Sequence, residues 1–191
     1  NLTESGFHPY TLKELLTPDQ VVELEETVLG YGQTNGSLEV RQSIASLYLG
    51  QTPDNVLVTN GSSEANYVAC HTLLEPGDEV WMEEPGFGGT RGALIAAGAT
   101  LVPVPVDDDG IAVAQGRALA PDARMACVSP SHQYPLGVTM SLRRRLELLD
   151  WARSANAFVL EDDYDSEYRY AGRPLAAMQG LRSEEHTSEL Q

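Results

Sequence analysis

Apolar and polar positions change period along the chain, and each change predicts an element. After an opening loop, TPDQVVELEETVLG predicts a helix with Thr17 as N-cap, Pro18 in its first turn and Gly30 as its stop. YGQTNG is turn chemistry. SLEVRQSIASLYLG then carries Leu38, Ile44, Leu47 and Tyr48 on or near one helical face. From Asn55 short β-prone runs alternate with helical stretches. The order is strand NVLVTN, helix SSEANYVACHTLL ended by EPGD, strand EVWMEE, helix GGTRGALIAAG and strand TLVPVPV. Strand ARMACVSP, helix SLRRRLELLDWARSAN capped by Ser141, and strand AFVLED complete the pattern. This alternation predicts an α/β fold, a mostly parallel sheet with helices on both faces.

Charge and composition narrow the function classes. The 191 residues carry 28 acids against 12 bases, a net charge of −16. A nucleic-acid face needs a basic surface, so this segment is expected to bind none. No apolar run is long enough to cross a bilayer, and no charged-then-apolar leader opens the chain. Cys70 and Cys127 lie far apart without metal-ligand spacing and read as two buried thiols of a cytoplasmic protein. Arg182–Gln191, RSEEHTSELQ, has no apolar period and resembles the in-frame translation of a sequencing-library adapter. The expected organisation is an N-terminal arm and helices over 1–54, a ligand-binding large domain over 55–181, and a non-native tail over 182–191.

In open α/β sheets ligands bind at the carboxyl ends of the strands. After NVLVTN, Gly61, Ser62 and Ser63 open a helix, where backbone N–H groups and two hydroxyls form a phosphate cup or a plain N-cap. After EVWMEE, Phe87 stands on a glycine-rich loop, as a stacking platform for a flat ring or as a lid on the core. After ARMACVSP come Ser131, His132, Gln133 and Tyr134, which could reach ring substituents or simply form a turn. After AFVLE five acids crowd together: Glu161, Asp162, Asp163, Asp165 and Glu167. Such a strand end suits a divalent metal, or it supplies one carboxylate to a protonated ring nitrogen, with Tyr164 two residues on along the same strand side. One ligand fits all four places: pyridoxal 5'-phosphate.

These stretches also resemble a known family. DEVWMEEPGFGGTRGALIAAGATLVPVPVDDDGI, SPSHQYPLGVTMSLRRRLELLDWA and VLEDDYDSEYRYAGRPLAAMQGL resemble the aminotransferase-like domain of MocR-type regulators over residues 78–181. NLTESGFHPYTLKELL, GYGQTNGSLEVRQSIASLY and DNVLVTNGSSEANYVACHTLLEPGDEV resemble class I/II aminotransferases of the capreomycidine synthase type over residues 1–77. The phrase LLEPGDEVW is common to both, and a join near Glu75–Trp81 is one reading of that. The resemblance implies a partial fold-type I aminotransferase large domain that binds pyridoxal 5'-phosphate and works as a homodimer on an amino acid and a 2-oxo acid. It places the phosphate on Gly61, Ser62 and Ser63, the ring against Phe87, the ring nitrogen on Asp162 and the phenolic oxygen on Tyr164. His132 and Gln133 would line the ring's other edge, although the family's Asn-Pro-x-Gly is here Tyr134-Pro135-Leu136-Gly137. Tyr31 would reach the partner subunit's phosphate. Glu161 and Asp163 remain alternatives to Asp162, because a slip of one residue reverses a strand's faces.

The family's chemistry needs a Schiff-base lysine beyond the Asp–Tyr strand. Lys13 is the only lysine here and lies in the N-terminal arm. The resemblance therefore implies an enzyme by family and an inactive, truncated chain. Two other readings compete: the effector-sensing domain of a MocR/GntR-type transcriptional regulator, and a metal-dependent hydrolase built on EDDYDSE.

Overall fold

Strand β1 (Glu79–Glu84) buries both of its faces, and that is why its apolar run is continuous. Val80 and Met82 point into one core with Cys70, Leu94, Met125 and Cys127, while Trp81 points into the other with Val104, Ala126, Leu148 and Trp151. The computed structural model describes residues 9–164 and 177–181. Asp165 and Glu167 of the acidic run lie outside them.

Around β1 the sheet is assembled as β3-β2-β1-β4-β5, with β2 at Thr100–Asp107, β3 at Gly110–Ile111, β4 at Met125–Val128 and β5 at Phe158–Glu161. The β1/β2, β1/β4 and β4/β5 pairs are parallel, and the short β2/β3 pair is antiparallel. The register sets Val80 against both Leu101 and Met125, and Met125 against Phe158. This crossover order brings the carboxyl ends of β1, β4 and β5 together.

Two short helices come first among the described residues, α1 (Leu12–Leu15) and α2 (Pro18–Glu25), and belong to a compact unit that ends at Thr34. Thr17 caps α2 as expected, accepting from the Gln20 N–H at 3.4 Å. The helix stops at Glu25 rather than Gly30, where the Thr27 hydroxyl turns back to the Glu23 carbonyl at 3.1 Å. The second unit, 35–191, starts before α3 (Leu38–Ala45). Buried Arg41 ties α3 to the Gly36 and Pro53 carbonyls at 3.1 and 2.8 Å, so α3 sits with the sheet's unit and not with the arm. Of the apolar face expected there, Ile44 is half-buried, while Leu38 is exposed and so are Leu47 and Tyr48, which lie beyond the helix's end.

The predicted strand NVLVTN is a correction. Pro53–Asn55 is a 3-10 turn, and the extended residues after it make no ladder among the described residues. Val58 N–H reaches only the Asn35 carbonyl, at 3.1 Å. β-propensity needs a neighbouring strand to become a strand.

Helices α4 (Ser62–Leu73) and α5 (Gly88–Ala96) cover the Val80/Met82 face, and α6 (Val113–Leu119) and α7 (Leu142–Ala155) cover the Trp81 face. Trp81 and Trp151 stack at 3.6 Å between ring centroids, each indole N–H bonded at 2.9 Å to a carbonyl, Ala120 and Pro121 respectively. Gly116 of α6 lies against Trp81, where a Cβ would come within 2.7 Å of the ring. Both cysteines are free and buried. Among the described residues no helix is long and apolar enough to cross a membrane.

Candidate functional site

A small pocket opens where β1, β4 and β5 end. It is lined by Glu83, Phe87, Thr90, Cys127, Ser129 and Asp162, among others. Asp162 reaches it because the β4/β5 ladder runs one residue past β5, its N–H donating to the Val128 carbonyl at 2.9 Å. Side chains alternate along an extended chain, and Asp162 accordingly turns away from Glu161 and Asp163, which both border another groove. Glu161 turns to the α7 side, accepting from Met178 N–H at 2.9 Å with Arg145 at 3.9 Å. Asp162 turns to the α4/α5 side, toward Asn66 and Thr90. Asp163 lines a surface groove with Ile44 and Tyr48. Among the described residues no group of acids, histidines and cysteines is gathered as metal ligands.

Burial pushes the Asp162 carboxyl up, and hydrogen bonds from the Asn66 and Thr90 side chains pull it back. Those two are themselves buried and joined, Asn66 Nδ2 donating to Thr90 Oγ1 at 3.4 Å. They connect the helix that starts at the cup, α4, to the glycine-rich helix α5 and to the acid.

At the head of α4, Gly61 has φ +88°, a backbone angle that favours glycine, and gives no side-chain cap. Ser62 and Ser63 open the first turn and are exposed. An uncapped helix start with two hydroxyls presents donors and the positive end of the helix dipole to an anion. Phe87, the residue before α5, is part-exposed at the pocket mouth and meets Tyr134 edge-on, with ring centroids 5.7 Å apart. A Cβ at Gly89 would collide with the Phe87 ring, so glycine lets the ring lie over the start of α5.

The loop after β4 divides in role. His132 faces Tyr164, rings 6.1 Å apart and near parallel, and the Tyr164 hydroxyl donates to the His132 carbonyl at 2.9 Å. Gln133 is 2% exposed, and its amide is engaged by the protein itself. Nε2 donates to Glu83 Oε2, Pro85 O and Tyr134 O at 3.2, 2.8 and 2.7 Å, and Oε1 accepts from Leu136 N–H at 3.1 Å. Tyr31 lies in the 1–34 unit with its ring fully exposed.

Sequence reasoning passed over Glu83, Asn66 and Thr90. Glu83 sits in a strand that reads as ordinary, yet it is 3% exposed, and burial pushes its carboxyl up to about 7. The signal was an acid inside a doubly buried strand, two residues before the proline that follows it.

The donor set suits a flat, phosphate-bearing ligand with a cationic ring: helix-start N–H groups and hydroxyls, an aromatic platform, and a carboxylate at the floor. The comparisons with known proteins agree. A family model described as aminotransferase class I and II matches residues 5–171. The probable rhizopine catabolism regulatory protein MocR of Rhizobium meliloti is 41% identical over 162 residues, covering 82% of this chain and 32% of its own length. Capreomycidine synthase of Streptomyces vinaceus is 33% identical over 184 residues, covering 92% and 47%. The family model and both relatives run across Glu75–Trp81, so neither likeness is confined to one half of the chain. The chain spans between about a third and about half of the length of these relatives. Among solved structures, LysN, an alpha-aminoadipate aminotransferase from Thermus thermophilus complexed with N-(5'-phosphopyridoxyl)-L-leucine, matches with a TM-score of 0.79. It is 27% identical and the match covers 87% of this chain and 43% of that one. The sheet is thus that of a fold-type I aminotransferase large domain, and the chain belongs to the aminotransferase class I and II family.

Proposed function

We propose that this chain is the cofactor-holding part of a pyridoxal-phosphate-dependent aminotransferase, acting on an amino acid and a 2-oxo acid. The observation that carries it is the pocket in which Asp162 and Phe87 meet at the strand ends. In this reading Gly61, Ser62 and Ser63 hold the phosphate and Phe87 covers one face of the ring. Asp162, ionised, keeps the ring nitrogen protonated. Tyr164 exchanges its bond to the His132 carbonyl for one to the phenolic oxygen, and His132 flanks Tyr164 at the ring's edge. Gln133 serves by fixing this loop. Tyr31 reaches the phosphate of a second copy in a homodimer. When bound, pyridoxal phosphate supplies an electron sink for the bonds of the amino-bearing carbon.

Lys13 stands in α1, outside the unit that holds the pocket, and it is the only lysine of the 191 residues. We therefore expect these residues to bind the cofactor without turnover. A second reading, the effector-sensing domain of a transcriptional regulator, is favoured by the 41% identity to MocR. The same pocket would then bind cofactor and an amino compound as a signal.

Titration of the chain with pyridoxal phosphate, followed by visible absorbance and tryptophan fluorescence, tests the shared part of both readings. Saturable binding that weakens at least about tenfold in Asp162→Asn is expected, the loss of one charge-assisted contact. Absence of binding, or equal binding by the variant, sinks it. Amino-group transfer by the product of the complete gene decides for the enzyme; cofactor-dependent binding of that product to its own upstream DNA decides for the sensor.

A further inference from the structure

Asp162 is not the only acid in the pocket. Glu83 lines it from β1 and is almost completely buried. Its two oxygens are served unequally. Oε2 accepts from Ser129 N–H and from Gln133 Nε2, both at 3.2 Å, while Oε1 is buried and has no hydrogen-bond partner. A bare, buried carboxylate oxygen is costly. A proton placed on Oε1 removes the charge and disturbs neither donor. Asp162 is the more exposed of the two and is met by two side-chain donors.

The groups that face Glu83 give no other source of neutralisation. From β4 comes Cys127, whose thiol is pushed well up by burial and so carries no charge. From beyond β5 comes the like charge of Asp162, and from the loop after β4 come the neutral donors Ser129 and Gln133. Arg145, close to Pro130, is turned to the Met140 and Pro130 carbonyls and toward Glu161. Among the described residues no cation acts on Glu83.

We propose that Glu83 and Asp162 form a pair holding one proton, with Glu83 the neutral member and Asp162 the ionised one, so that the pocket presents a single negative charge. This rests on the cofactor reading and deepens it: the ligand that fits is a flat ring carrying one positive charge and no more. Glu83 acts as a positioning residue. It sets the charge state beside Asp162 and anchors the Gln133 loop, which carries His132 and Tyr134.

The test is a carbon-13 NMR titration of the side-chain carboxyls in the 191-residue chain, first without any cofactor. Glu83 Cδ is expected to keep the shift of a neutral acid at pH 6, and Asp162 Cγ to ionise before it. Asp162→Asn, which removes the neighbouring charge, moves the Glu83 midpoint down. Glu83→Gln, as neutral as Glu83 is where Asp162 titrates, leaves the Asp162 midpoint in place. Ionisation of Glu83 with ordinary carboxylates near about pH 4–5, or ionisation of Asp162 after Glu83, overturns the proposal. The wild-type titration decides the order even if a variant fails to fold. Pyridoxal phosphate is then added to the same samples. If the order of ionisation is as expected but the cofactor stays free, the pair stands and the cofactor reading falls; if the cofactor binds while Glu83 is ionised at pH 6, the reverse holds.

Discussion

Replacing Gln133 by leucine separates two roles that the sequence leaves open for this residue, ligand contact and loop anchor. Leucine is of similar bulk, though it branches one carbon earlier, and has no polar atom. The bond to Glu83 is buried, and its loss costs about 1–3 kcal/mol. The bonds to Pro85 O, Tyr134 O and Leu136 N–H are only part-buried, so water replaces them in part and each costs about 0.5–1.5 kcal/mol. Burying the leucine side chain returns about 1.5–3 kcal/mol. The balance is a destabilisation of about 2–3 kcal/mol, or roughly 5–10 °C in Tm for a domain of this size. Urea unfolding followed by tryptophan fluorescence reads it directly, with a lower midpoint and an unchanged slope. A variant within about 0.5 kcal/mol of wild type that nevertheless loses cofactor affinity tenfold would refute the reasoning, because the amide would then face the ligand.

Glu83 also makes stability depend on pH, with a sign opposite to that of a salt-bridged acid. Its folded-state value, about 7, lies above the ordinary 4.5, so between these values the folded chain holds the proton more tightly than the unfolded one. Its contribution is complete below about pH 4.5 and is lost as pH rises to 7, about 3 kcal/mol in all. Urea midpoints measured from pH 4.5 to 7.5 should fall, and Glu83→Gln should flatten the fall; a slope unchanged in the variant contradicts this. Gly116→Ala sets helix propensity against packing. The gain inside α6 is about 1 kcal/mol, whereas a Cβ 2.7 Å from an indole pinned by Trp151 and Ala120 costs about 1–3 kcal/mol. A net loss of about 1 kcal/mol is expected in thermal unfolding, with an altered near-ultraviolet tryptophan signal, and a stabilised variant would contradict it.

Much of the fold was legible because its determinants are local. The buried run EVWMEE, the proline and glycines after it, and Ser141 before an apolar helix each act within a few residues, and β1, α5 and α7 lie where their patterns point. NVLVTN has the composition of a strand but no ladder among the described residues, since pairing depends on a distant partner. The short hairpin into β3 and the helix α6 were missed. Gly110 there is buried at φ +107°, and Gly116 packs beneath Trp81. Arg144 and Arg145 belong to the basic run that opens α7. In the fold they are buried, Arg144 bonded to the Gly110 and Ile111 carbonyls and Asp107, and Arg145 to those of Met140 and Pro130.

The sequence by itself determined the α/β class, the strand ends at which a ligand can bind, and the residue types collected there. These follow from hydrophobic period, turn chemistry and the alternation of side chains along a strand, which are properties of neighbouring residues. Only the tertiary structure decided which of the described acids of the cluster faces the pocket, that Asn66 and Thr90 come to meet it, that Gln133 is spent on the loop, and that Glu83 shares the pocket. Those facts depend on strand order and on helices packed across the sheet. Hydrogen bonds and desolvation act through space between residues as far apart as 83 and 133, and no local pattern encodes that distance.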